Sequence, residues 1–184
     1  VENGSHLEDV VADIDSERLD VELQGGERIV VDRRLIVFRA VESVSNETGV
    51  GDRITGVNGT DVDMERSFAA AVEDRPVATL RTESANATVP IGAFADRVAS
   101  DGGLAAAGAP TDRHIIITHV GGERVVNQSA LRPVLDEYDA GDQVTVVGYL
   151  DGDPGQSETY NVTLGGTDDT PLLGVTVREG YSGM

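Results

Sequence analysis

The sequence contains no cysteine and no tryptophan. Without thiols it has no disulfide, no cysteine-ligated zinc ribbon and no thiol nucleophile. Lysine is absent too. All 14 basic residues are arginine, against 33 Asp and Glu, for a formal net charge of −19. Such a chain repels nucleic-acid phosphates and anionic lipid heads, which argues against both as partners. Aromatic residues make up only 4%, so a core has to rest on Val, Ile, Leu and Ala. The apolar runs are a few residues long, far short of the roughly 18 that a transmembrane helix needs, and no stretch reads as a signal peptide.

What is present is acid, and acid without lysine. At about 1 M salt the Debye length falls to about 3 Å and the self-repulsion of such a surface is screened. The composition therefore reads as adaptation to concentrated salt. Asparagine is used in one way only. Asn3, Asn46, Asn58, Asn86, Asn127 and Asn161 are the six asparagines, and each begins an Asn-x-Ser/Thr triplet. This is the acceptor pattern for N-glycosylation. Turns enrich Asn, Ser and Thr together, yet six of six points to a surface outside the cytoplasm. Asn46, Asn58, Asn86, Asn127 and Asn161 are the glycosylation candidates.

The 184 residues suit one large domain or two small ones. Residues 19–24 alternate apolar and polar, 24–27 form a turn, and 28–41 read as two strands around Asp32–Arg34. A short strand over Arg53–Val57 meets Asn58-Gly59, a hairpin-type turn. A helix follows from Asp63, with Met64, Phe68, Ala71 and Val72 spaced for one apolar face. Two strands close the stretch. The order then repeats: Val120-Gly121-Gly122 answers Val57-Asn58-Gly59, Leu131 falls on Phe68 and Leu135 on Val72, and 143–150 and 160–166 answer the closing strands.

The stretch "GVGDRITGVNGTDV" (49–62) carries a resemblance. Its Gly-Asp, strand ending Val-Asn-Gly, Val and helix are similar to PDZ domains of bacterial and archaeal proteases. The second copy is looser: "AAAGAP" (105–110) resembles an Ala- and Gly-rich turn of those domains, and Gly121 stands where Asn is usual. The resemblance covers about 28–166. It implies an α+β fold of two PDZ-like small β-barrel or sandwich units with short helices, in tandem. The expected division is 1–27 as an N-terminal strand or linker, 28–95 and 96–166 as the two units, and 167–184 as a C-terminal strand or linker toward a membrane segment. More narrowly, tandem units in an acidic, lysine-free, sequon-rich chain resemble the extracytoplasmic segment of a haloarchaeal site-2 protease, an intramembrane zinc metalloprotease.

Catalytic chemistry is not legible in the chain itself. The zinc motif His-Glu-x-x-His of such proteases is absent, so zinc is expected in the parent catalytic domain and no cofactor here. His114 and His119 lie five apart on an expected strand and point to opposite faces. "DGDPGQSE" (151–158) loosely resembles a calcium loop but lacks the later bidentate Glu, and reads as a solvated acidic face. What remains is peptide binding by strand addition, in which an extended peptide pairs with an exposed sheet edge. In the first unit the edge candidates are Leu35, Ile36, Val37 and Phe38, and the helix wall would offer Phe68, Ala71 and Val72. In the second, Leu131 and Leu135 take the wall role. Core packing is the competing reading for each of these apolar residues. The family's Gly-Leu-Gly-Phe-like carboxylate loop is missing before Leu35, where Asp32-Arg33-Arg34 stands. The expected function is a substrate-recognition segment or steric size filter of a membrane-embedded metalloprotease. Its partner would be an extended peptide or membrane-protein substrate. The alternatives are a PDZ pair of a secreted serine protease and a non-enzymatic, glycosylated cell-surface module.

Overall fold

A computed structural model of the chain describes residues 18–22, 28–32, 35–37, 53–62, 65–72, 75–83, 85–167, 169–178 and 181–183. Two strands, β1 (Arg18–Glu22) and β2 (Arg28–Asp32), form an antiparallel hairpin that pairs Leu19 with Val31. The short β3 (Leu35–Val37) follows.

The first larger sheet is built from β4 (Ile54–Val57), β5 (Thr60–Asp61), β6 (Val77–Thr82) and β7 (Asn86–Pro90), in the order β5-β4-β6-β7. Period-two alternation sets its inner face: in β6, Ala78, Leu80 and Thr82 are buried while Thr79 and Arg81 are exposed. Helix α1 (Glu65–Val72) packs on this sheet. Ile54, Val57, Val62, Phe68, Val72, Ala78, Leu80 and Ile91 make its core.

The second sheet runs β12-β11-β9-β8-β15, with β10 paired to β9. Its strands are β8 (Ala93–Val98), β9 (Ile115–Val120), β10 (Glu123–Arg124), β11 (Gln143–Leu150), β12 (Ser157–Thr163) and β15 (Val175–Arg178). A small hairpin, β13 (Gly165–Thr167) with β14 (Thr170–Leu172), precedes β15. Two helices, α2 (Gly103–Ala106) and α3 (Gln128–Leu135), complete it. Asn127 starts α3: its side-chain oxygen accepts from the Ala130 N–H at 2.8 Å, satisfying one of the donors every helix start leaves open. The last strand, β16 (Tyr181–Gly183), pairs with β3.

The chain is thus an α+β fold dominated by antiparallel sheet, with three short helices among the described residues. The boundary expected between residues 95 and 96 falls inside β8, which belongs wholly to the second sheet. Residues 167–184, read as a strand or linker, supply that sheet with β15, and their β16 pairs back to β3. The physical reason is apolar alternation: Val175 and Val177 are half-buried against the second core, so the strand is held where they are covered.

The two sheets meet closely. Only Ile91-Gly92 separates β7 from β8, and a Cβ on Gly92 would collide with the Ile117 carbonyl. Val77 packs on Phe94, Ile116 and Tyr149, and Val126 packs on the first core. The Arg124 guanidinium donates to the Arg75 carbonyl at 3.1 Å and to the Thr118 carbonyl at 3.0 Å, joining one unit to the other.

Candidate peptide-docking edges

The turn that opened the resemblance is present. Asn58 and Gly59 both have positive φ, 50° and 85°, as a two-residue hairpin turn requires. Asn58 does more than turn the chain. Its Oδ1 accepts from the Thr79 N–H at 3.0 Å while its own N–H donates to the Thr79 carbonyl at 2.9 Å, tying the turn to β6. The second copy solves the same turn differently. Gly121 and Gly122 have φ of 62° and 92°, and the Tyr138 hydroxyl occupies the place a Cβ on Gly121 would take. A side chain at this position would have to displace that hydroxyl.

The helix-wall candidates lie in the cores. Phe68 and Val72 are fully buried in the first, with Ala71 half-buried at its margin. Leu131 and Leu135 are buried in the second beside Val134. The edge candidates Leu35, Ile36 and Val37 form β3, and that strand is paired antiparallel: Leu35 to Gly183, Ile36 to Ser182, Val37 to Tyr181. Phe38 and Asn46 lie outside the described residues. Asn58, Asn86 and Asn161 are exposed, and Asn127 is half-buried.

Sequence reasoning missed a different edge. β15 ends the second sheet and pairs only with β8 among the described residues. Its outer side therefore presents backbone donors and acceptors to a partner strand. The approach to β15 is pinned. The Leu173 carbonyl accepts from Leu104 N–H at 2.9 Å, and the Gly174 carbonyl accepts from Ala99 N–H at 2.8 Å. Gly174, at φ 79°, sits so tightly on Gly102 that a side chain has no room. At the far end of the strand, Arg178 Nε meets Asp96 at 3.1 Å. Just before the strand stands Leu172, 47% exposed and the large apolar side chain left uncovered among the described residues. Arg132 of α3 donates to the Asp169 carbonyl at 3.4 Å, which ties the turn between β13 and β14 to the helix. The signal was in the sequence as "LLGVTV", which reads as a strand but does not reveal its neighbour.

The titratable groups are occupied locally. His114 Nδ1 lies 3.1 Å from the Asp96 carbonyl, and His119 Nδ1 lies 3.1 Å from Thr118 Oγ1. Burial, and secondarily the Arg124 charge, hold the His119 pKa below its ordinary 6.5. His119 borders an open depression of about 690 Å³, with Tyr138, Thr145 and Val147 also on its walls. Among the described residues its lining holds no carboxylate beside that imidazole. In the 151–158 loop, Asp151 holds Arg113 Nε at 2.7 Å and the His114 N–H at 3.0 Å. Asp153 accepts from the Gly155 N–H at 2.8 Å, which with the Gln156 amide lowers its pKa. These carboxylates hold the hairpin loop in shape. No cluster of three or more metal-ligating side chains occurs among the described residues.

No protein-family model matches this sequence, and no curated protein matches it. Among solved structures, the chain is similar to the PDZ domain of the SdrC-like protein from Listeria monocytogenes. The identity is 18% and the TM-score 0.38, over 47% of this chain and 86% of that one. A likeness this slight fixes nothing about ligands, and the fold assignment rests on the sheets and helices themselves.

Proposed function

We propose that this chain is a protein-interaction segment of PDZ type that takes an extended peptide by strand addition along β15. The outer edge of β15, which pairs with β8 alone among the described residues, is the observation that carries the reading. Main-chain pairing would supply affinity, and Leu172 an apolar contact that selects side chains. The stretch Leu172-Leu173-Gly174-Val175 also keeps the leucine, the glycine and an apolar residue of the Gly-Leu-Gly-Phe order sought in vain before Leu35.

The finer reading is a regulatory segment of a membrane-embedded zinc metalloprotease on the extracytoplasmic face, recognising or sterically filtering its substrates. Two features support it: the repeated strand-turn-strand-helix order and the acidic, lysine-free composition with six Asn-x-Ser/Thr triplets. Zinc belongs to the parent's catalytic domain in this reading, and the membrane is met through the parent's helices. Sequencing the coding region on both sides tests it. A His-Glu-x-x-His within an apolar helix supports the protease; a trypsin-like catalytic domain replaces it with the secreted serine protease alternative.

The binding reading is tested on the chain itself. Labelled extended peptides are titrated by fluorescence anisotropy in concentrated KCl. Leu172→Ala leaves stability unchanged, since the side chain is already half in water. It weakens binding roughly fivefold, the equivalent of about 1 kcal/mol of lost apolar contact. Equal affinity for both proteins removes Leu172 from the site.

A further inference from the structure

The four asparagines among the described residues divide into two groups once placed on the fold. Asn58 is in the β4–β5 turn, Asn86 opens β7 and Asn161 lies within β12; all three side chains are exposed. Asn58 turns its Oδ1 inward to the Thr79 N–H, leaving Nδ2 on the other side of the amide. Asn161 Oδ1 accepts from Thr145 Oγ1 at 3.4 Å. In β7 and β12 the Asn-x-Thr spacing of two places acceptor and hydroxyl on one face, and Thr88 and Thr163 are exposed beside Asn86 and Asn161. Asn127 differs. It is half-buried, its Oδ1 caps α3, and Gln128 and Ser129 are already wound into the helix. That triplet cannot extend without unwinding the first turn.

We propose that Asn58, Asn86 and Asn161 are N-glycan acceptors and that Asn127 is not, so that sugars shield three ends of the two larger sheets and leave β15 bare. β5 and β7 bound the first sheet and β12 bounds the second opposite β15; β15 carries no asparagine. An unshielded edge strand recruits other strands indiscriminately, and sugars at the other ends of the two larger sheets restrict that pairing, within those sheets, to β15. The donor is a sugar activated as a glycosyl phosphate. Asn Nδ2 forms a bond to the anomeric carbon and gives up one proton, while the anomeric carbon–oxygen bond breaks and the phosphate leaves with the electron pair. This inference rests on the extracytoplasmic reading above.

The test is peptide mass spectrometry on the protein purified from the organism that carries it, cleaved after Arg and Glu. Sugar mass is expected on the peptides holding Asn58, Asn86 and Asn161, with Asn127 bare, and Asn161→Gln removes one glycan without changing the other two. Bare asparagines at all three positions, or sugar on Asn127 with the strand sites bare, overturn it. Peptide affinity is measured separately on sugar-free protein. Bare sites with binding intact overturn the shield alone; occupied sites with no binding overturn the docking reading alone.

Discussion

The two units answer one sequence pattern with unequal means. Among the described residues, the first has eight buried residues in its core and the second nineteen. Both use a helix of eight residues after a turn with two positive φ angles. The first anchors its turn with an asparagine side chain bonded to β6, and the second with two glycines under a tyrosine. The difference teaches that the repeat conserves backbone geometry rather than side-chain contacts. A small core is also the more fragile one, since folding stability is a small remainder of large opposing terms.

The largest effect that would expose this inequality is at Phe68. Phe68→Ala should cost about 3–5 kcal/mol through lost contact and a residual cavity. Hydrogen exchange is expected to lose protection across 54–91 while β9, β11 and β12 stay protected. Uniform loss over both units would mean that they fold as one body, through the Arg124 and Val77 contacts. Smaller is Gly121→Asn, which transplants the first turn into the second. It should destabilise by about 1–3 kcal/mol, because Tyr138 must be pushed from its place. Urea melts of Gly121→Asn alone and with Tyr138→Ala decide whether that ring is the cause, since the pair should be less than additive. Asn127→Ala removes the cap of α3 and should cost about 1 kcal/mol, read in the same melts.

The smallest contrast is in pH. His119 has its folded pKa below 6.5, so the unfolded chain takes the proton first. Stability of the second unit should therefore be full above pH 6.5 and fall as pH drops below it, levelling off beneath the folded pKa. The stretch 53–91 contains no histidine, and exchange protection there should stay flat through the same window. His119→Gln is expected to abolish the slope.

Much of this fold was legible because its signals are local. The alternation in 77–82 and 143–150, the Asn58-Gly59 turn and the helical spacing of Phe68 and Val72 each depend on residues near one another in sequence. Spacing alone could not say what the apolar face of a helix touches. Phe68, Val72, Leu131 and Leu135 fit a groove wall or a core equally well, and the structure buries all four. Pairing is not local at all. Nothing in "LLGVTV" distinguishes an edge strand from a central one, and nothing in 181–183 announces β3 as its partner. The docking edge was therefore sought at Leu35–Phe38, and the spacing did not point to β15, which pairs with β8 alone among the described residues.

Strand addition at β15 is the central claim, and amide NMR in about 2–3 M KCl, titrated with extended peptides, tests it most directly. The account predicts shifts at Val175–Arg178 and around Leu172, with the paired β8 amides following and the 77–90 hairpin unmoved. A dispersed spectrum with no shift at millimolar peptide, or shifts that leave β15 untouched, would contradict it.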